Sequence, residues 1–185
     1  MNKVAFIFPG QGAQTVGMGK DFYDNTETAR RIFDRASELL GFSMPELCFE
    51  KNDRLDITEY TQAAMVTAGI AMMKVLMEKT DIRPYVAAGL SLGEYCALAA
   101  AGVMSVDDAI TTVRQMGILM QGEVPVGIGA MAAVLAMDAE KIEQVIGDME
   151  DVQIANYNCP GQIVISGKKE AVELAGMKLK EAGAK

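Results

Sequence analysis

The residue in this sequence best suited to covalent chemistry is the serine of Gly89-Leu90-Ser91-Leu92-Gly93. Gly-x-Ser-x-Gly is the spacing of a nucleophile elbow: a strand enters a sharp turn, the serine sits at its apex, and a helix leaves. A serine hydroxyl needs a base to take its proton, and the usual base is histidine. The 185 residues contain no histidine. The nearest acid, Glu94, would lie about one turn along the following helix and point away from the hydroxyl. An acid in a first turn also suits the helix dipole, so Glu94 reads as structural. Backbone N–H groups at a helix start favour a developing oxyanion, and the Leu92 N–H is the natural first donor. The simpler alternative is a chance match in a glycine-rich strand-turn-helix.

An elbow needs a strand before it and a helix after it. Tyr85–Ala88 reads as a short strand, and Gly93–Ala101 as a small-residue helix closed by Gly102. Val4–Phe8 is a fully apolar strand of the kind buried in a parallel sheet, and Pro9-Gly10-Gln11-Gly12 follows it as a loop. Asn25 and Thr26 offer N-caps to a helix with Ile32, Phe33, Ala36, Leu39 and Leu40 on one face and Gly41 as its stop. After a polar loop, an apolar helix runs from Thr58 or Thr61 to Lys79, with Met65, Met72, Met73 and Met77 as core filler. Ser105 with Asp108 opens another helix, Val106–Gln121. Strands alternating with helices predict an α/β fold with a mainly parallel sheet.

The pattern changes at Gly122–Gly129, where Pro125 and the glycines mark a boundary between segments 1–123 and 124–185. Strands are expected at Ala130–Ala136, Val152–Tyr157 and Gln162–Ser166, and helices at Ala139–Met149 and Lys169–Ala182. That order is β-α-β-β-α, and one more strand would complete a ferredoxin-like βαββαβ unit. Without it a sheet edge stays unpaired. The topology therefore implies the N-terminal portion of a longer natural protein.

Composition excludes several classes. A net charge of −8 argues against a nucleic-acid partner. Cys48, Cys96 and Cys159 are odd in number and widely spaced, which fits neither a disulfide framework nor a zinc site. They read as free thiols in a reducing, cytoplasmic setting. Without histidine, most transition-metal sites are unexpected, and no metal or cofactor is expected. The run Val4–Phe8 is too short for a signal peptide, and the uncharged run between Glu94 and Asp107 is too short to span a bilayer, so no membrane partner is expected.

In chain order, "FPGQGAQ", "TEYTQAA", "GLSLGEY", "MQGEVPVGIGAMAAVLAMD" and "NYNCPGQIVISG" make this sequence similar, over essentially its whole length, to the malonyl-CoA:acyl carrier protein transacylase family. The resemblance implies an α/β-hydrolase-like core over 1–123 and an inserted ferredoxin-like subdomain over 124–185, both incomplete, the subdomain lacking its last strand. It implies ping-pong transfer of a malonyl group from coenzyme A to the phosphopantetheine thiol of acyl carrier protein, in fatty acid biosynthesis. The intermediate is an ester on Ser91, the thioester is the substrate, and no cofactor is used. The base is implied to be a histidine beyond Lys185. The backbone N–H groups of Gln11 and Leu92 would form the oxyanion hole, and Gln62 and Asn158 would line the cleft. For the last two, local hydrogen bonding at a helix start and in a turn stays open.

Two positions depart from that pattern. Leu90 stands where many members have histidine, and leucine is a familiar variant there. Met116, in Met116-Gly117-Ile118-Leu119-Met120-Gln121, stands where members carry the arginine that clamps the malonyl carboxylate. Arg114 is two residues away, about 200° around a helix. A buried carboxylate without a bidentate partner is poorly bound. One alternative is therefore transfer of acetyl or another neutral acyl group, with Met116 packed on it; another is a cation supplied from elsewhere. A further alternative is a non-catalytic, truncated module that binds acyl-CoA or carrier. An esterase would share the elbow but leave the PGQGAQ loop unexplained. For carrier docking, Lys168, Lys169, Lys178, Lys180 and Lys185 outnumber Glu170, Glu173 and Glu181, although a solvated helix face is the simpler explanation of them.

Overall fold

The computed structural model describes residues 3–185. The elements are β1 (Ala5–Phe8), α1 (Lys20–Asn25), α2 (Glu27–Leu40), α3 (Met44–Phe49), α4 (Thr58–Lys79), β2 (Val86–Gly89), α5 (Gly93–Ala100) and α6 (Val106–Glu123), then β3 (Gly129–Leu135), α7 (Ala139–Ile146), β4 (Val152–Cys159), β5 (Gln162–Lys168) and α8 (Lys169–Glu181). The chain divides into two units, the first ending at Glu123 and the second running Val124–Lys185.

In the first unit β1 and β2 pair in parallel, Ala5 opposite Val86 and Phe8 opposite Gly89. Both strands therefore end level, which brings the loop after β1 to the turn after β2. Helix α4 is buried around most of its circumference, from Thr61 to Val75, so it carries no polar stripe and serves as the centre of the unit. Helix α2 packs through Ala29, Phe33 and Ala36. Its N-cap Thr26 accepts from the Ala29 N–H at 3.3 Å, and Gly41 ends it at φ 74. Helix α6 starts where Ser105 Oγ accepts from the Asp108 N–H at 3.0 Å. It crosses α4 closely at Gly117, where a β-carbon would stand 2.8 Å from Glu59 Cα.

Two short helices were not expected. For α3 the signal was present: Ser43 accepts from the Glu46 N–H at 3.2 Å, with proline at the first helical positions. Helix α1 begins at Gly19 with φ 80 and no side-chain cap, so nothing in the sequence marks it. Elsewhere the boundaries move by a few residues. Helix α7 stops at Ile146 rather than Met149 because Gly147 follows; β4 runs on to Cys159 because its pairing with β5 continues to the hairpin turn, and β5 runs on to Lys168, which pairs with Gly129 of β3.

In the second unit the three strands form an antiparallel sheet in the order β3-β5-β4. One face is covered by α7 and α8 through Val134, Ile142, Ile146, Ile163, Ile165, Val172 and Leu179. The alternation of β3 turns Met131 and Leu135 to the other, exposed face. Lys185 and Leu135 exchange both backbone hydrogen bonds, at 2.7 and 3.0 Å, which is one rung of an antiparallel ladder on the β3 edge away from β5.

Among the described residues no helix is long and apolar enough to cross a membrane. Cys48 and Cys96 are buried, and burial pushes both thiols up to about 12, whereas Cys159 is exposed at the β4–β5 turn. Iodoacetamide at pH 8 is expected to modify Cys159 alone in the folded protein and all three thiols after unfolding. Intact mass before and after denaturant checks this, and rapid labelling of a second thiol in the folded protein would contradict the packing.

Candidate active site

Ser91 has φ 50, in the left-handed region that a residue with a β-carbon enters at a cost of about 1–3 kcal/mol. The surrounding backbone holds it there. The Leu90 N–H donates to Phe8 O at 3.0 Å, the Gly93 N–H to Leu90 O at 2.9 Å, and the Glu94 N–H to Ser91 O at 3.0 Å. Both flanking glycines are required by close approach. A β-carbon on Gly89 would fall 1.9 Å from the Gly93 carbonyl carbon, and one on Gly93 would fall 2.5 Å from Phe8 O. The turn drives Leu92 into the core and leaves Ser91 exposed. Among the described residues no backbone carbonyl takes the Leu92 N–H, which lies at the start of α5. Glu94 is exposed in the first turn of that helix, as a dipole-compensating acid would be.

The loop after β1 lies against this elbow: a β-carbon on Gly10 would stand 2.8 Å from Leu90 O. Gln11 Nε2 donates to Thr58 Oγ1 at 3.0 Å. Gln14 ties the loop twice, its Oε1 accepting from the Gly12 N–H at 2.8 Å and its Nε2 donating to Asp56 Oδ1 at 2.9 Å. The Gln11 backbone is thus held beside the elbow by anchors at the head of α4. Sequence reasoning missed Gln14, Asp56 and Thr58 as positioning residues. The signal was a second glutamine in "PGQGAQ" and a threonine heading "TEYTQAA", but their pairing is a tertiary fact.

Gln62 lies one turn along α4 from Thr58 and is 2% exposed. Its Nε2 donates to Met120 Sδ at 3.5 Å, and its buried Oε1 has no partner among the described residues. Met116 is half-buried on α6, and the Tyr95 hydroxyl donates to its Sδ at 3.7 Å. Arg114 faces elsewhere. Its Nη1 is 2.9 Å from Glu59 Oε2 and 2.6 Å from Glu59 O, and its guanidinium stacks 4.5 Å from the Tyr60 ring centre and 5.4 Å from that of Phe42.

Gln11, Gln62, Ser91, Leu92 and Met116 are therefore all on the first unit, with Gln11 held by Thr58, Gln62 by Met120 and Met116 by Tyr95. Asn158 is on the second unit, exposed in β4, where its Nδ2 donates to Gln162 Oε1 at 3.3 Å across the hairpin. Lys168, one of the lysines considered for docking, is paired with Asp151 at 2.7 Å. A separate apolar groove of about 660 Å³ runs along β1, lined by Phe6, Phe8, Met18, Met65, Met72 and Cys96. It contains none of the candidate site residues.

Two substitutions test this arrangement. Gly93→Ala forces a methyl group into the Phe8 and Pro9 carbonyls and is expected to cost roughly 2–4 kcal/mol, read as a lowered denaturant midpoint. Thr58→Val removes only the anchor of Gln11. It is expected to leave stability within about 0.5 kcal/mol and to slow roughly tenfold the modification of Ser91 by a serine-directed fluorophosphonate, whose oxygen would use the Gln11 N–H, measured as the rate of labelling.

The description "acyl transferase domain" matches residues 5–185. The chain is 49% identical to the malonyl CoA-acyl carrier protein transacylase of Bacillus subtilis (strain 168) over 190 aligned residues, covering 100% of the chain and 60% of the relative. The enzyme of that name from Staphylococcus aureus (strain MRSA252) is 42% identical, with 100% and 61% covered. The crystal structure of malonyl CoA-acyl carrier protein transacylase from Clostridium perfringens ATCC 13124 superposes with a TM-score of 0.85 at 44% identity, covering 100% of this chain and 59% of that one. A malonyl-transacylase solved in complex with a type II PKS acyl-carrier protein superposes with a TM-score of 0.89 at 40% identity, with 100% and 61% covered. The chain thus spans about 60% of the length of the curated relatives it matches.

Proposed function

The chain belongs to the acyl transferase domain family, and we propose that it carries the nucleophile and oxyanion hole of a transacylase that moves an acyl group from coenzyme A to acyl carrier protein. One observation carries this most: Ser91 is held at φ 50 between two glycines that admit no β-carbon, with an untaken Leu92 N–H beside it. Backbone held in that region at such cost, at a strand-to-helix turn, is expected of a nucleophile. The names of the relatives give the donor and acceptor classes, malonyl-CoA and acyl carrier protein.

In this proposal Ser91 Oγ attacks the thioester carbonyl as a base removes its proton. The oxygen of the tetrahedral intermediate is met by the N–H groups of Leu92 and Gln11. Collapse breaks the C–S bond, and the coenzyme A thiolate leaves with the proton. The phosphopantetheine thiol then attacks the Ser91 ester, loses its proton to the same base, and releases the serine. Nothing in these steps calls for a metal or cofactor. With no histidine in the chain and Glu94 exposed, the proposal assigns the base to sequence that the longer relatives have outside the matched stretch.

The finer architecture belongs to the same proposal. The parallel β1–β2 pair and the elbow suit an α/β-hydrolase-like core. The order β3-β5-β4, with the Lys185–Leu135 rung on the free side of β3, suits a ferredoxin-like subdomain. Asn158 is proposed to meet substrate and Lys169, Lys178, Lys180 and Lys185 to meet carrier, fatty acid biosynthesis is the proposed pathway, and the buried free thiols suit a cytoplasmic setting.

Steady-state kinetics with acyl-CoA and carrier protein varied together test the proposal. Parallel double-reciprocal lines are expected, with Ser91→Ala lowering kcat by about three orders of magnitude or more. Acyl release to water at the same rate without carrier would instead make the protein a hydrolase.

A further inference from the structure

The loop after β1 is anchored at the head of α4, where Thr58 Oγ1 accepts from Gln11 Nε2 at 3.0 Å and Asp56 Oδ1 from Gln14 Nε2 at 2.9 Å. That head has no side-chain cap, because its N-cap is Ile57. The Thr61 hydroxyl donates to Ile57 O at 3.0 Å, but this ties the turn only to its own helix. An uncapped first turn frays, and a fraying turn cannot fix a loop. The hold has to come from another element.

Helix α6 supplies it. Arg114 Nη1 donates to Glu59 O at 2.6 Å and pairs with Glu59 Oε2 at 2.9 Å. Both contacts fall on the residue that follows Thr58. The guanidinium lies 4.5 Å from the ring centre of Tyr60 and 5.4 Å from that of Phe42, so its plane is fixed as well as its charge. The Arg114 and Glu59 side chains are 14% and 26% exposed, and a pair so covered is little screened by salt. Hydrogen bonds from an ionised donor are about twice as strong as neutral ones. Three residues further along α6, Gly117 closes on the same turn: a β-carbon there would stand 2.8 Å from Glu59 Cα and 3.1 Å from Thr58 O. Gly117 gives the room for close approach, and Arg114 gives the attraction.

We infer that Arg114 is a positioning residue: it fixes the head of α4 and, through Thr58 and Asp56, holds the loop that carries Gln11 against the serine elbow. It acts through the main chain of α4, at Glu59 O. The inference rests on the acyl-transfer reading only for the use made of that loop, whose Gln11 N–H serves the oxyanion.

The Gly12 N–H, bonded to Gln14 Oε1 at 2.8 Å, reports the order of the loop without any chemistry at the serine. Its hydrogen exchange, followed by NMR, is the test. Arg114→Met keeps the stem and removes the donors, and is expected to speed exchange at Gly12 about tenfold. Arg114→Lys keeps the charge without a plane to lie on the two rings, and is expected to speed it about threefold. Arg114→Met combined with Thr58→Val is expected to give less than the product of the two single effects, because both lie on one route. Val113→Ala truncates a fully buried neighbour on the same helix. It is expected to lower the denaturant midpoint and leave Gly12 exchange as it was, which separates placement of the loop from general loss of packing. Should Arg114→Met not fold, Arg114→Lys decides. Unchanged exchange in the Arg114 variants, an equal rise in Val113→Ala, or fully multiplicative effects of Arg114→Met and Thr58→Val would overturn the inference. A failure of the acyl-transfer reading looks different: Gly12 exchange rises in Arg114→Met while a fluorophosphonate labels Ser91 as fast as before, which supports the anchor and removes the loop from the oxyanion hole.

Discussion

The structure around the site depends on the contact between the end of β2 and the start of α5. Gly89 and Gly93 bring two stretches of backbone closer than any β-carbon permits. That approach folds the chain back tightly enough to hold Ser91 in the left-handed region. Three consequences share this one cause. The serine hydroxyl is presented outward, the next side chain goes into the core, and the first N–H of a helix is left without an intrahelical partner. Strain at one residue is tolerated because hydrogen bonds from Leu90, Gly93 and Glu94 fix the turn on every side.

In the proposed mechanism the elbow alone gives half of the oxyanion hole. The other half needs the loop after β1, and its placement follows from the register of the parallel pair, which ends both strands level at Phe8 and Gly89. The loop is then tied to the head of α4 by two glutamine side chains. Helix α4 is in turn fixed by α6, whose Gly117 lets the two helices close onto one another. The same crossing puts Met116 and Met120 beside Tyr95 and Gln62 and turns Arg114 onto Glu59. Loop position and the partners of Met116, Gln62 and Arg114 are therefore outcomes of one helix packing.

Much of this fold was legible in the sequence because its signals are local. An apolar run ended by Pro-Gly gave β1, a threonine cap and a closing glycine gave α2, and Gly-x-Ser-x-Gly gave the turn between β2 and α5. Helix α3 was missed although Ser43, Pro45 and Glu46 marked it, and α1 has no cap to mark it. In the site, residue types could be named but not their partners. That Arg114 faces away from Met116 follows from helical geometry, whereas its salt bridge to Glu59 and its two aromatic neighbours required the packed structure. The unpartnered Gln62 oxygen is a property of a buried neighbourhood, which no spacing rule reports. Asn158 shows the reverse case: its short-range bond to Gln162 is the local alternative that turn chemistry offers.

The central claim is that the strained serine of this elbow is the residue that takes the acyl group. The most direct measurement is peptide mapping by mass spectrometry after brief incubation of the protein with an acyl-CoA thioester and an acid quench. The account predicts one acyl ester, on the peptide that carries Ser91, removed by hydroxylamine and absent in Ser91→Ala. An ester or thioester on any other residue, or an adduct that survives Ser91→Ala, would contradict it.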